Sequence, residues 1–183
     1  MAAQILFVQG AGAGAHDQWD NKLVESLEWE LGADFSIRYP RMPNEDDPSY
    51  AAWKPALIDE CERLPDGAIF VGHSIGGTFL LHLLAEERSR LRPAALFLIA
   101  APFLGEGGWH SDEIEMWPVR QPRTGLPVFL YHGTDDQVVP FTHAQLYAKA
   151  VPHAVIRTLP HRDHQLNNDL SAVAQDIRSL AAS

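Results

Sequence analysis

The sequence predicts an α/β protein built as a three-layer sandwich, with about six mostly parallel strands, helices on both faces and no separate cap domain. Three observations lead there. Short, wholly apolar runs recur along the chain and read as strands buried on both faces. Between them, apolar residues return every three or four positions, the period of a helix with one buried side. The 183 residues suit one domain of this kind and show no repeat, low-complexity tract or linker, so residues 1–183 are read as a single domain.

The first strand is expected at residues 5–8, ahead of a glycine- and alanine-rich loop over 10–15. Trp19, Leu23, Leu27 and Leu31 then fall four apart and mark a helical face, with Asp17 or Asp20 as its cap. Residues 35–39 form a second strand stopped by Pro40 and Pro43, and 41–47 a polar loop. Asp47 followed by Pro48 reads as a cap and first helical position, and Tyr50, Trp53, Leu57, Cys61 and Leu64 continue the stripe, with Pro55 an early point for a kink. The third strand, 68–71, runs into Gly72-His73-Ser74-Ile75-Gly76-Gly77 and a helix whose inner side is Phe79, Leu80, Leu83 and Leu84. Strands at 94–100, 128–131 and 155–159 follow, with a capping box at Thr142 and Gln145 opening a short helix. Leu170, Val173, Ala174, Ile177 and Leu180 form the stripe of a last helix.

Composition excludes several function classes. The chain is 46% hydrophobic and 21% charged, an ordinary balance for a globular protein. Its 14 basic against 24 acidic residues argue against nucleic acid and against an anionic membrane surface as partners. The single cysteine, Cys61, excludes an internal disulfide. No apolar run is long enough for a membrane span, and Met1-Ala2-Ala3-Gln4 lacks the positive charge of a secretory signal, so a cytoplasmic location is expected.

The chemistry concentrates after the third strand. Gly72-His73-Ser74-Ile75-Gly76 fits G-x-S-x-G in the strand–turn–helix setting that a nucleophile elbow requires. A serine hydroxyl needs a base to take its proton, and the base needs a carboxylate to hold its tautomer. Both residue types follow in the chain order Ser, acid, His: Asp135 and Asp136 after the fifth strand, His161 and His164 after the sixth. Ligands of such sheets bind beyond the carboxyl ends of the strands, so the three loops converge there.

On these residues the chain resembles the serine hydrolases of the α/β-hydrolase superfamily, within the compact group that includes retinoblastoma-binding protein 9. The resemblance covers essentially the whole chain. Its anchors are residues 72–77, 132–140 (HGTDDQVVP) and 163–169 (DHQLNND). It implies Ser74 as nucleophile, Asp136 as acid through alignment on Val139-Pro140, and His164 as base, with Asp135 and His161 as alternates. His164 follows Asp163 where the family usually has glycine. The oxyanion hole would comprise the Ile75 amide and the Ala11 amide, with Gly12 next in line, because Gln9-Gly10 stands where many relatives have His-Gly. No cofactor and no metal are needed for that chemistry. The substrate would be a small carboxylic ester, with an amide or thioester as variants.

Other candidates take simpler readings. His73 lies beside the nucleophile and suits a hydrogen-bonding or substrate-pocket role. Residues 102–121 have no clear period and lie above the functional edge, so Phe103, Trp109 and Trp117 are expected to line an apolar pocket. Trp19, Trp29 and Trp53 read as packing groups. The glycines of residues 10–14 do not match the dinucleotide fingerprint. Two rival readings stand beside the hydrolase: a partner-binding protein on a hydrolase scaffold, and a flavodoxin-like nucleotide- or flavin-binding domain. The sequence names no protein partner.

Overall fold

A strand apolar on both faces must be covered on both, and this chain meets that need with a single layered sheet. The computed structural model describes residues 2–114 and 122–181. Its strands are β1 (Ala3–Val8), β2 (Phe35–Arg38), β3 (Ile69–His73), β4 (Ala95–Ile99), β5 (Val128–Gly133) and β6 (Val155–Leu159). They form one sheet in the order β2-β1-β3-β4-β5-β6, and every neighbouring pair is parallel.

Alternation along each strand divides the core. Leu6, Val8, Phe70, Leu96, Leu98, Val128 and Leu130 face one layer of helices: α2 (Tyr50–Glu62), α3 (Ile75–Glu86) and α4 (Thr142–Ala150). Ile5, Phe7, Ile69, Val71, Phe97, Ile99 and Tyr131 face the other: α1 (Asn21–Leu31) and α5 (Ser171–Ala181). The result is the expected three-layer sandwich without a separate cap domain. Among the described residues, no helix is long and apolar enough to cross a membrane.

Strand order also sets the place of the site. From β1 the chain crosses outward to β2, then returns past β1 to β3 and continues the opposite way to β6. The connections leaving β1 and β3 therefore diverge and open a crevice at the carboxyl ends of these two strands. The loop at Gly10 and the turn at Ser74 lie at that crevice.

Several local expectations give way to tertiary context. Ser49, rather than Asp47, caps α2: its hydroxyl accepts the Ala52 amide at 3.2 Å, and the helix runs on through Pro55 to Glu62. Thr142 is the first residue inside α4, and its preceding residue, Phe141, makes no side-chain cap. A π-helical turn over Ala15–Asp20 precedes α1, and Asp20 spends its carboxylate elsewhere instead of capping the helix. Trp53 is buried as expected, its indole donating to Pro43 O at 2.6 Å. Trp19 and Trp29 are not packing groups; they are 52% and 86% exposed.

Candidate active site

Strand β3 ends at His73 and helix α3 begins at Ile75, leaving Ser74 alone to make the turn. Ser74 adopts φ 50° and ψ −130°, a positive φ that costs a non-glycine residue about 1–3 kcal/mol and persists only where the surroundings enforce it. They do so by close packing. A Cβ on Gly76 would lie 2.1 Å from Gln9 O, so the start of α3 sits directly on the end of β1. Ser74 is anchored by its own amide, which donates to Ile99 O at 2.8 Å, while its carbonyl accepts the Gly77 amide at 3.0 Å. The Ile75 amide belongs to the first turn of α3, where no intrahelical acceptor exists and the helix dipole favours negative charge.

The loop after β5 shapes a carboxylate site. Asp136 Oδ1 accepts the Val138 and Val139 amides, both at 2.8 Å, and Oδ2 accepts Nδ1–H of His164 at 2.9 Å. His132 closes the loop by donating Nε2–H to Val139 O at 2.8 Å. The loop after β6 comes against it because Gly133 has no side chain: a Cβ there would lie 2.1 Å from Arg162 O. Burial opposes the charge on Asp136, but His164 and the two amides outweigh it and hold the carboxyl below its ordinary value. Burial pushes His164 below its ordinary value despite the pull of Asp136, and the neighbouring His73 adds to the depression. His164 is therefore neutral near pH 7, the state a general base needs. Because Nδ1 donates to Asp136, Nε2 is left as the proton acceptor.

Asp135 and His161 take no part in this cluster. Both are exposed: the Asp135 carboxylate accepts the Thr134 hydroxyl at 2.9 Å, and the His161 ring approaches it at 3.7 Å. Adjacent residues thus differ entirely in surroundings, and the structure brings Asp136, not Asp135, to His164.

Ser74 and His164 line one cavity of about 490 Å³ at the crevice, within the size range of small-ligand sites. Its wall includes Gly10, Ala11 and Ile75, with Phe79, Leu104, Trp109 and Val138 supplying apolar surface. Of the amides after β1, Gly10 donates to Asp20 at 2.6 Å and Gly12 to Glu45 O at 2.7 Å. Ala11 is left between them as the unengaged amide on the cavity wall. Gly12 is not on that wall.

The expected apolar pocket from residues 102–121 forms in part. Trp109 lines the cavity. Phe103 does not: it is 2% exposed, packs edge-on to Tyr147 at 5.3 Å, and its amide donates to His143 Nδ1 at 2.8 Å. Its apolar side chain finds core on the α4 side before it can reach the cavity. Trp117 lies outside the described residues. His73 borders the cavity, but its ring is 2% exposed and bound on both sides, which makes it part of the site's frame.

Sequence reasoning missed Asp20. It read as a helix cap, yet it is 1% exposed and joins Gly10, His73 and Gln165 through its carboxylate. No local signal marks it, because its partners come from three distant segments. Trp19, expected to pack in the core, stands at the cavity. Among the described residues, no group of three or more histidine, cysteine or acidic side chains is arranged to hold a metal ion.

A serine at a strained elbow, a histidine on the same cavity wall and a carboxylate hydrogen-bonded to that histidine agree with the class to which the comparisons with known proteins lead. The sequence matches the serine hydrolase family over residues 5–170, and the chain belongs to that family. Its fold is similar to that of the ydeN gene product from B. subtilis, with 18% identity, a TM-score of 0.77 and 100% of both chains covered. It is similar to Est1E from Butyrivibrio proteoclasticus at 17% identity and a TM-score of 0.71, covering 100% of this chain and 89% of that one. The esterase domain of a Rhodothermus marinus protein shows 20% identity and a TM-score of 0.70, with 98% and 85% covered. At these identities the likeness is one of fold alone. No curated protein matches the sequence.

Proposed function

We propose that this protein is a serine esterase that cleaves small carboxylic esters through an acyl-enzyme on Ser74, within the compact group resembled by its sequence motifs. One observation carries the reading: Ser74 and His164 share a cavity wall while Asp136 holds His164 Nδ1 at 2.9 Å. The esterase name borne by a similar fold points the same way.

The chemistry follows from that arrangement. Ser74 Oγ attacks the ester carbonyl as His164 Nε2 takes its proton, and the carbonyl π pair moves onto oxygen. The Ile75 and Ala11 amides stabilise this oxyanion. Asp136 stabilises the imidazolium without taking its proton. Collapse of the intermediate breaks the C–O bond to the alcohol, which leaves with the proton from His164. Water, deprotonated by His164, then attacks the acyl carbon, and the carboxylic acid departs as Ser74 regains its proton. Every step is served by side chains and amides of this chain. The apolar walls and the net charge of −10 favour a neutral, apolar acyl group over an anionic one.

The test combines a fluorophosphonate probe with a panel of p-nitrophenyl esters of increasing acyl length. Labelling of the purified protein and ester turnover are expected, both lost in Ser74→Ala, with kcat falling on the order of 10⁶-fold if the three residues act as a unit. Absence of labelling in the wild type would sink the esterase reading and favour a binding scaffold.

A further inference from the structure

Below Ser74 lies a second carboxylate–imidazole pair that the proposed reaction does not consume. Asp20 Oδ2 accepts His73 Nδ1–H at 2.9 Å and the Gly10 amide at 2.6 Å, while Oδ1 accepts the Gln165 side-chain amide at 3.2 Å. The opposite edge of the His73 ring, Nε2, lies 3.1 Å from the backbone carbonyl of His164. Asp20 and His73 are 1% and 2% exposed.

The partners determine the charge of this ring. A carboxylate and a carbonyl both accept and have no proton to give, so both ring nitrogens of His73 must donate. His73 is therefore an imidazolium paired with the Asp20 carboxylate. The carboxylate holds His73 above its ordinary value in spite of burial.

A buried ion pair is weak evidence for stability, since apolar groups of equal volume often serve as well. Position is what distinguishes this one. Gly10 directly precedes Ala11, His73 directly precedes Ser74, and the accepting carbonyl belongs to His164 itself. A Cβ on Gly10 would come within 3.0 Å of Ser74 Cβ and 3.1 Å of His73 Nδ1, so the three segments meet at this pair. The His73 and His164 rings have centroids 4.8 Å apart.

We propose that Asp20 and His73 form a positioning pair for the Ser74 reaction: they fix the oxyanion loop and the His164 backbone against the nucleophile, and the His73 cation, its ring 4.8 Å from that of His164, opposes a second positive charge there. This rests on the esterase reading above. The charged and titratable groups facing His164 are Asp136, His73 and Asp20; those facing His73 are Asp20 and His164, with Asp136 behind. Removing the cation alone leaves Asp20 and Asp136 both favouring a protonated His164. Removing Asp20 withdraws the partner that keeps buried His73 charged, so anion and cation vanish together and their opposing effects on His164 cancel.

The experiment compares wild type, His73→Asn and Asp20→Asn by pH-dependent hydrolysis of p-nitrophenyl acetate and by ¹⁵N NMR of the histidine rings. In the wild type at pH 7, through-bond correlations should show both His73 nitrogens protonated and His164 neutral, a result that needs no folded variant. His73→Asn should lower kcat on the order of 10²-fold with little change in KM. It should also move the acid limb of kcat/KM to higher pH by about one unit. Asp20→Asn should lower kcat comparably while leaving the limb nearly in place. A neutral His73 in the wild type overturns the proposal, as does an unmoved limb in folded His73→Asn. A wild type without esterase activity sinks the proposed reaction, while the NMR result still decides the charge of the pair.

Discussion

Replacing Asp136 by asparagine changes the chemistry of one atom and almost no volume, which makes it the sharpest probe of the site. The side-chain oxygen of asparagine can still accept the Val138 and Val139 amides, now at 2.8 Å from Asp136 Oδ1, so the loop keeps its shape. The NH₂ group takes the place of Oδ2, 2.9 Å from His164 Nδ1. Two donors cannot face each other, so His164 moves its proton to Nε2 and presents Nδ1 as acceptor. In that tautomer it cannot take the Ser74 proton. The expected loss is about 10⁴-fold in kcat, equivalent to about 5 kcal/mol of transition-state stabilisation. Steady-state hydrolysis of p-nitrophenyl acetate reads the loss, and a thermal melt checks that the fold is kept. Asp135→Asn is the matched control, because Asp135 is exposed and its carboxylate meets Thr134 and His161 rather than His164. A folded Asp136→Asn retaining kcat within about one order of magnitude of wild type, with activity lost in Asp135→Asn instead, would refute the assignment.

Three further outcomes are expected. Gly76→Ala would place a Cβ 2.1 Å from Gln9 O and 2.9 Å from Val8 Cγ1; a backbone acceptor cannot retreat as a flexible side chain can, so urea denaturation should show a loss of about 3 kcal/mol, and an unchanged midpoint would contradict the packing described. Cys61 is buried and its thiol is pushed up to about 12 by desolvation and by Glu60 and Glu62; a thiol reagent at neutral pH should leave native protein unlabelled and modify it only on unfolding, and rapid native labelling would show the helix to be open. For pH, Asp136 titrates below its ordinary value in the folded chain. A depressed carboxylate contributes stability in full above the unfolded value and loses it as pH falls through the folded one. The melting-temperature gap between wild type and Asp136→Asn should therefore be constant above about pH 4 and close on further acidification. A wild type no more stable than Asp136→Asn at neutral pH would place the carboxylate outside the hydrogen bonds described here.

The central strands were legible because short, complete apolar runs such as 68–71 and 94–100 have few alternatives. Residues 155–159 read as a strand and form β6 at those bounds, whereas β5 extends beyond 131 to Gly133 because pairing with Thr158 and Leu159 continues there. The helix caps were less legible. Asp47, Asp20 and Thr142 all have the chemistry of a cap, but a side chain hydrogen-bonds whichever partner the folded chain presents. For Asp20 that partner is a buried histidine 53 residues away. Apolar residues show the same limit. Phe103 and Trp109 lie in one loop with similar hydrophobicity, yet one enters the core and the other the cavity wall.

By itself, the sequence determined the layered parallel sheet, since strands apolar on both faces require helices on both sides, and it determined the elbow, since G-x-S-x-G between a strand and a helix admits few turns. The order of acid and base along the chain followed from the same local patterns. Sequence motifs favoured Asp136 and His164, and only tertiary structure shows these two hydrogen-bonded to each other while Asp135 and His161 lie exposed, because neighbours in sequence differ there only in what surrounds them. It also decided the Asp20–His73 pair and its tie to Gln165, which spans 145 residues. Periodicity and motifs are local properties of a chain, whereas charge state, tautomer and hydrogen-bond partner depend on distances that exist only after the strands have paired.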